Sequence, residues 1–195
     1  MVNRRLWMGA LGVAAILLIA SIIYVLVTPP EPQPSVAAQM ALIPSDLGMN
    51  WSGDLQDRAI PVFSDDSSII DNTTSRSRNA LWNGTYPFSY HIEIWLVCWN
   101  NSSNANHAFE KSLGYGQEGN TSFVNITLGD RSYLYYQVGY RIYMDFLKGN
   151  IECWLYADGQ YGGWGRAWWI DTTISLAQLQ LQKIDQYLAQ HPGAA

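Results

Sequence analysis

The sequence predicts an α+β domain, an antiparallel β-sheet flanked by helices, preceded by one transmembrane helix. Three observations lead there. Leu6 to Val27 is a run of 22 residues without a charge. Strand-like runs follow one another through the middle of the chain, with one helical pattern inserted among them. The chain then closes on Ile174, Ala177, Leu181, Ile184 and Leu188, apolar residues at helical spacing. With 48% apolar and 13% aromatic residues in 195, there is enough greasy surface for a core, which argues against wholesale disorder.

The first element is the anchor. As a helix the uncharged run spans ~33 Å, enough for a hydrocarbon core of ~30 Å. Trp7 and Tyr24 lie near its ends, where amphipathic rings favour the interface. Arg4 and Arg5 precede it and Glu31 is the first charge after it. The positive-inside bias therefore places residues 1–5 in the cytoplasm, residues 6–28 in the membrane and the rest outside. A cleaved signal peptide would have an apolar region of about 7 to 15 residues with small residues close behind. Here Ala37 and Ala38 come only after Pro29, Pro30, Pro32 and Pro34, so an uncleaved signal-anchor is expected. Those prolines stop the helix, against a pilin-like assembly helix, and make residues 29–35 a semi-rigid linker. Residues 36–191 are the extracytoplasmic domain. Without the first 28 residues the net charge falls from −5 to −7, and no basic stripe remains, so nucleic acid is not expected as a partner.

Within the domain, Val36 to Ile43 reads as a short helix stopped by Pro44, and Asn50 to Phe63 as an irregular edge strand interrupted by Pro61. The polar stretch from Ser64 to Thr74 reads as loop. Ser75 to Trp82, the turn Asn83-Gly84-Thr85 and Phe88 to Trp99 form a hairpin. A helix capped near Asn101 carries Ala105, Ala108, Phe109 and Leu113 and stops at Gly114. Four strands follow, Ser122 to Leu128, Ser132 to Val138, Arg141 to Leu147 and Asn150 to Tyr156, the last two joined at Lys148-Gly149. The final helix runs from Asp171 to Gln190.

Asn-x-Ser/Thr triplets begin at Asn50, Asn72, Asn83, Asn100, Asn101, Asn120 and Asn125, all beyond the anchor. Composition alone gives only about one or two, so the excess agrees with an exported, glycosylated chain. The only cysteines, Cys98 and Cys153, lie in the exported part, each on the apolar face of its strand. We expect a structural disulfide, worth ~4 kcal/mol on the chain-entropy model, with two buried free thiols as the alternative.

The order Leu42-Ile43-Pro44-Ser45-Asp46-Leu47-Gly48 with Trp51, the Ala/Phe helix, Leu128-Gly129-Asp130, and Lys148-Gly149-Asn150 opening a strand resembles one broad group. These are the extracytoplasmic sensor-type domains of actinobacterial receptor kinases and related lipoproteins, with a PsbP-like character. The resemblance covers residues 36 to 190. It implies a curved antiparallel β-sheet flanked by helices, in proteins that bind something rather than catalyse. It carries over no catalytic residue, and since no cytoplasmic domain like that of the kinase members is expected, direct signalling is not expected either.

Chemistry is sparse. Gly114, Gly116 and Gly119 match G-x-G-x-x-G, but the motif follows a helix and leads into a strand, the reverse of a dinucleotide site. His91 and Glu93 share a strand face, with Arg76 or Arg78 across the hairpin, as on any polar strand face. Asp54, Asp57, Asp65, Asp66 and Asp71 lack the order of a calcium loop, and two Cys with three scattered His do not complete a zinc site. Neither cofactor nor metal is expected, and no catalytic residue. The unusual segment runs from Trp154 to Trp169. There Trp154, Tyr161, Trp164, Arg166 and Trp168 among glycines are the ligand-binding candidates, since exposed rings stack on sugars or grip a partner. The favoured reading of the segment packs these rings beneath the final helix as structure, with binding as the alternative. The sequence thus points to a membrane-anchored, non-enzymatic binding module for a glycan or another surface protein. A glycosylated structural component of the cell envelope is the second reading.

Overall fold

A polar run and an apolar run make the central hairpin. Ile69–Trp82 (β2) is rich in Ser, Thr and Asn, while Pro87–Trp99 (β3) alternates Ile92, Ile94 and Leu96 inward. In the computed structural model, which describes residues 34–48, 50–57, 68–82, 87–117, 121–137, 141–160 and 166–192, these strands lie in one seven-stranded antiparallel sheet. The other strands are Trp51–Asp57 (β1), Ser122–Val124 (β4), Arg131–Gln137 (β5), Arg141–Lys148 (β6) and Ile151–Gln160 (β7). Their order across the sheet is β1-β2-β3-β7-β6-β5-β4. The short helices Val36–Met40 (α1) and Pro44–Leu47 (α2) precede the sheet, Ser102–Gln117 (α3) is inserted after β3, and Arg166–Gln190 (α4) closes the chain.

Period-two alternation gives the sheet two different faces. On the first, Tyr90, Ile92, Ile94, Leu96, Met144, Phe146, Cys153 and Leu155 pack against Met40 of α1 and Trp169, Ala177 and Ile184 of α4. On the second, Val97, Trp99, Tyr133, Tyr135 and Leu147 pack against Ala105 and Phe109 of α3. Asn101 caps α3, its Oδ1 accepting from the Asn104 N–H. Gly149, at φ 62°, makes the tight β6–β7 turn. Gly129 sits at φ 61°, where an added Cβ would lie 2.2 Å from the Leu147 carbonyl oxygen.

The α+β class and the antiparallel sheet with flanking helices are thus present, with local differences, among them a separate helix α2 that begins at Pro44, where the first was expected to stop, and a β7 that runs to Gln160 rather than Tyr156. Ile69 to Thr74, expected as loop, is the first half of β2. Its Thr73, Thr74 and Ser75 are buried, and hydroxyls from Thr73 and Ser75 donate to the carbonyls of Gln56 and Leu42. Polar composition there marks a strand whose small side chains are satisfied internally, not a loop. Helix α3 runs through Gly114 to Gln117, because buried Gly116 lets it lie against the Tyr135 ring. Strand β4 ends at Val124 rather than Leu128, and α4 begins at Arg166, five residues before Asp171. The expected transmembrane helix lies outside the described residues, and among these no helix is long and apolar enough to cross a membrane.

Candidate functional site

The second face is covered by α3 at one end and, among the described residues, by no helix at the other. Register turns that face into rows of directly opposed side chains. One row crosses all seven strands: Phe123, Tyr135, Tyr143, Tyr156, Glu93, Arg76 and Asp54. At ~4.8 Å per strand it extends ~29 Å, four rings followed by three charges. Tyr135 and Tyr143 stack at 4.9 Å, and Tyr143 lies 5.1 Å from Tyr156. Glu93 and Arg76 form an ion pair, and the carboxylate raises the guanidinium further above its ordinary value through a hydrogen bond. A parallel row carries Trp154 opposite Trp95 in an edge-on contact at 6.3 Å. A third places His91 between Arg78 and Asp158, which accepts from the Tyr156 hydroxyl at 3.0 Å. Burial, then that hydrogen bond, pushes the Tyr156 phenol up to about 12, so it stays a neutral donor.

The expected pairing of His91 and Glu93 with Arg78 and Arg76 is present. It makes a polar strip in which Arg76 engages the Glu93 carboxylate and Arg78 stands opposite His91. The aromatic segment is divided. Trp154 is half-buried on the second face, whereas Trp168 packs on the first, 6.2 Å from Tyr90 and 5.0 Å from Trp169. Arg166 stacks over Tyr136, 4.7 Å from its centroid. Tyr161 and Trp164 lie outside the described residues. The sheet thus separates Trp154 from Trp168, because α4 starts early enough to carry the latter onto the opposite face.

Cys98 and Cys153 are free and buried, not bridged as expected. They occupy adjacent strands on one face, but Cys98 opposes Ile151 and Cys153 opposes Leu96. Such diagonal neighbours lie ~7–8 Å apart at Cα, beyond the usual ~4.4–6.8 Å of a disulfide. Burial pushes the Cys98 thiol up to about 12 and Cys153 in the same direction, so both are protonated and poorly nucleophilic. A thiol reagent is therefore expected to modify neither cysteine in the native chain and both after unfolding in denaturant. One disulfide found by mass mapping without reduction would contradict this.

Of the glycan acceptors, Asn50, Asn100, Asn101 and Asn125 are exposed, while Asn83 and Asn120 lie outside the described residues. Asn101 is committed to capping α3, and its Nδ2 donates to Asn100 Oδ1. Asn72 is a poor acceptor, half-buried in mid-strand with its Oδ1 enclosed and unpartnered among the described residues.

A buried group that the sequence pattern hid lies where α3 covers the sheet. Asp145 and Glu152, 1% and 4% exposed, sit on β6 and β7 among Tyr133, Leu147, Val97 and Trp99. The available signal was company: Glu152 alternates with Trp154 and Tyr156, and Asp145 with Tyr143 and Leu147. These neighbours are too apolar for an open surface. No cluster of three or more His, Cys, Asp or Glu with metal-binding geometry occurs among the described residues. No protein-family model matches the chain, and neither curated proteins nor solved structures provide a significant match.

Proposed function

We propose that this chain is a single-pass, membrane-anchored binding module, extracytoplasmic and non-enzymatic, whose contact surface is the open end of the second sheet face. The observation that carries this reading is the cross-sheet row in which four aromatic residues run into Glu93, Arg76 and Asp54. Tyr135 is buried against α3, Tyr143 and Tyr156 are half-buried and Phe123 is exposed, so the accessible rings beside fixed charges combine apolar area with oriented polar groups, the composition of recognition surfaces. The anchor is supported by the uncharged stretch from Leu6 to Val27, and export by the exposed triplets at Asn50, Asn100 and Asn125. The resemblance to sensor-type ectodomains agrees with binding rather than catalysis. Occupants of suitable chemistry are a glycan or another surface protein.

The test is site-specific photo-crosslinking of the full chain in its own membrane. A photoreactive residue at Arg78 should capture a discrete partner, whereas one at Gln178, exposed on α4, should not. Replacing Arg76 and Glu93 together by Ala should reduce capture about tenfold and leave the melting temperature nearly unchanged. Equal capture at both positions, or none at either, would refute the binding surface and favour a glycosylated structural role in the envelope.

A further inference from the structure

The two edges of the sheet are guarded differently. At one edge β1 carries the exposed Asp54 at its centre, and helix α2 lies against the strand. A second copy pairing there antiparallel, about a two-fold axis through that centre, would set Asp54 against Asp54, like charges directly opposed. At the other edge β4 has no such guard. It pairs with β5 on one side, and among the described residues neither strand nor helix runs along its outer side. From Thr121 to Leu128 there is no charge and no proline. Thr, Phe, Val and Ile in that stretch favour extended chain, and Phe123 is 45% exposed. Such an edge presents unpaired N–H and C=O groups that template pairing with another chain, which natural sheets prevent with charge, proline or a cover.

The edge is also held in place at both ends. Before the strand, Thr121 Oγ1 donates to the Gly116 carbonyl at 2.6 Å. After it, the Leu128 N–H donates to Ser132 Oγ at 2.9 Å, and Ser132 Oγ donates to the Ile126 carbonyl at 3.3 Å. Two copies joined antiparallel about Phe123 would oppose their phenyl rings and set Ser122 against Val124, so no charge would meet its like. A cover is within reach of this edge. Asn125-Ile126-Thr127 is an acceptor triplet immediately beyond Val124, and both Asn125 and Thr127 are exposed.

We propose that an N-linked oligosaccharide on Asn125 covers the β4 edge, and that without it the chain pairs there with a second copy into one continuous sheet. The transfer joins Asn125 Nδ2 to the anomeric carbon of a lipid-diphosphate oligosaccharide. The anomeric C–O bond breaks, the lipid diphosphate leaves with its electron pair, and Nδ2 gives up one proton to a base of the exporting cell's transferase. A bulky, hydrated sugar chain then occupies the space that a paired strand would need, the part that Asp54 plays on β1. This gives the glycan a role beyond the proposed function. It shares with that reading only the premise of export, and it needs no ligand on the open face.

The experiment begins with mass mapping of the full chain purified from its own membrane, which should find sugar on Asn125. Thr127→Ala and, separately, Asn125→Gln remove the acceptor at exposed positions. Sedimentation of the full chain in detergent should then give each variant about twice the protein mass of the wild type. Phe123→Lys added to Thr127→Ala should restore the wild-type mass, because two lysines would face one another. Ser52→Ala, which removes the Asn50 triplet at the edge guarded by Asp54, should leave the mass unchanged. Sugar on Asn50 or Asn100 with none on Asn125 overturns the proposal and spares export, whereas bare asparagines throughout overturn both. Wild-type mass in the Asn125 and Thr127 variants also overturns it, as does a doubling that survives Phe123→Lys or one that appears in Ser52→Ala.

Discussion

Trp169→Ala is expected to destabilise the domain by about 3–5 kcal/mol, which for a chain of this size lowers the melting temperature on the order of 10 °C. The ring is 3% exposed and fills the space between α4 and the end of β7, 4.6 Å from Tyr90 and 5.0 Å from Trp168. Its seat exists because position 159 is glycine. A Cβ there would lie 1.9 Å from Trp169 Cη2, a separation no packed carbon tolerates. Gly159→Ala must therefore displace the indole, at a cost of about 1–3 kcal/mol. The two substitutions should be strongly non-additive, with Gly159→Ala nearly silent once Trp169 is Ala. Thermal unfolding of the two single variants and the double variant measures the coupling. Additive losses would place the ring elsewhere.

Gln180→Ala should cost about 2–5 kcal/mol, far more than an ordinary helix substitution. Gln180 is fully enclosed on α4. Its Oε1 accepts from the Leu42 N–H at 2.8 Å, while its Nε2 donates to the Met40 carbonyl at 2.7 Å. One side chain thus satisfies both polarities of a buried backbone segment nearly 140 residues away in sequence. Truncation leaves an N–H and a C=O enclosed without partners, each costing about 1–3 kcal/mol. The expected readouts are a lower urea midpoint and early proteolytic cleavage near Leu42. Gln180→Glu keeps the acceptor but sets a carboxylate against the Met40 carbonyl, so it should recover only part of the loss. Unchanged cleavage in both variants would show that other contacts hold this segment.

These two residues show how sequence and structure divide the information. The apolar period of α4 was legible from Ile174 to Leu188, yet it reveals neither that Gln180 faces inward nor what it grips. Helical spacing also did not extend to Trp168 and Trp169, because the glycines around them suppress helical propensity until Trp169 packs into Gly159. The hairpin and the strands β5, β6 and β7 were legible because apolar alternation survives even when the other face is aromatic. The first half of β2 was not, since the buried Thr73 and Thr74 look polar in isolation, although the Thr73 hydroxyl finds its acceptor in the Gln56 carbonyl of the neighbouring strand. The candidate site follows the same division. His91 and Glu93 opposite Arg78 and Arg76 could be read from hairpin pairing, but the remainder of the row joins strands distant in the chain.

The sequence by itself determined the class of fold, the inward-facing residues of its regular strands and the helical face of its last element. Each depends on periodicity within a short stretch. Tertiary structure alone decided that Trp154 and Trp168 lie on opposite sides of the sheet, that the two thiols sit diagonally, and that Asp145 and Glu152 share one covered face. Strand order and register set those distances, and both arise from how separate segments jointly exclude water. No single segment carries that result.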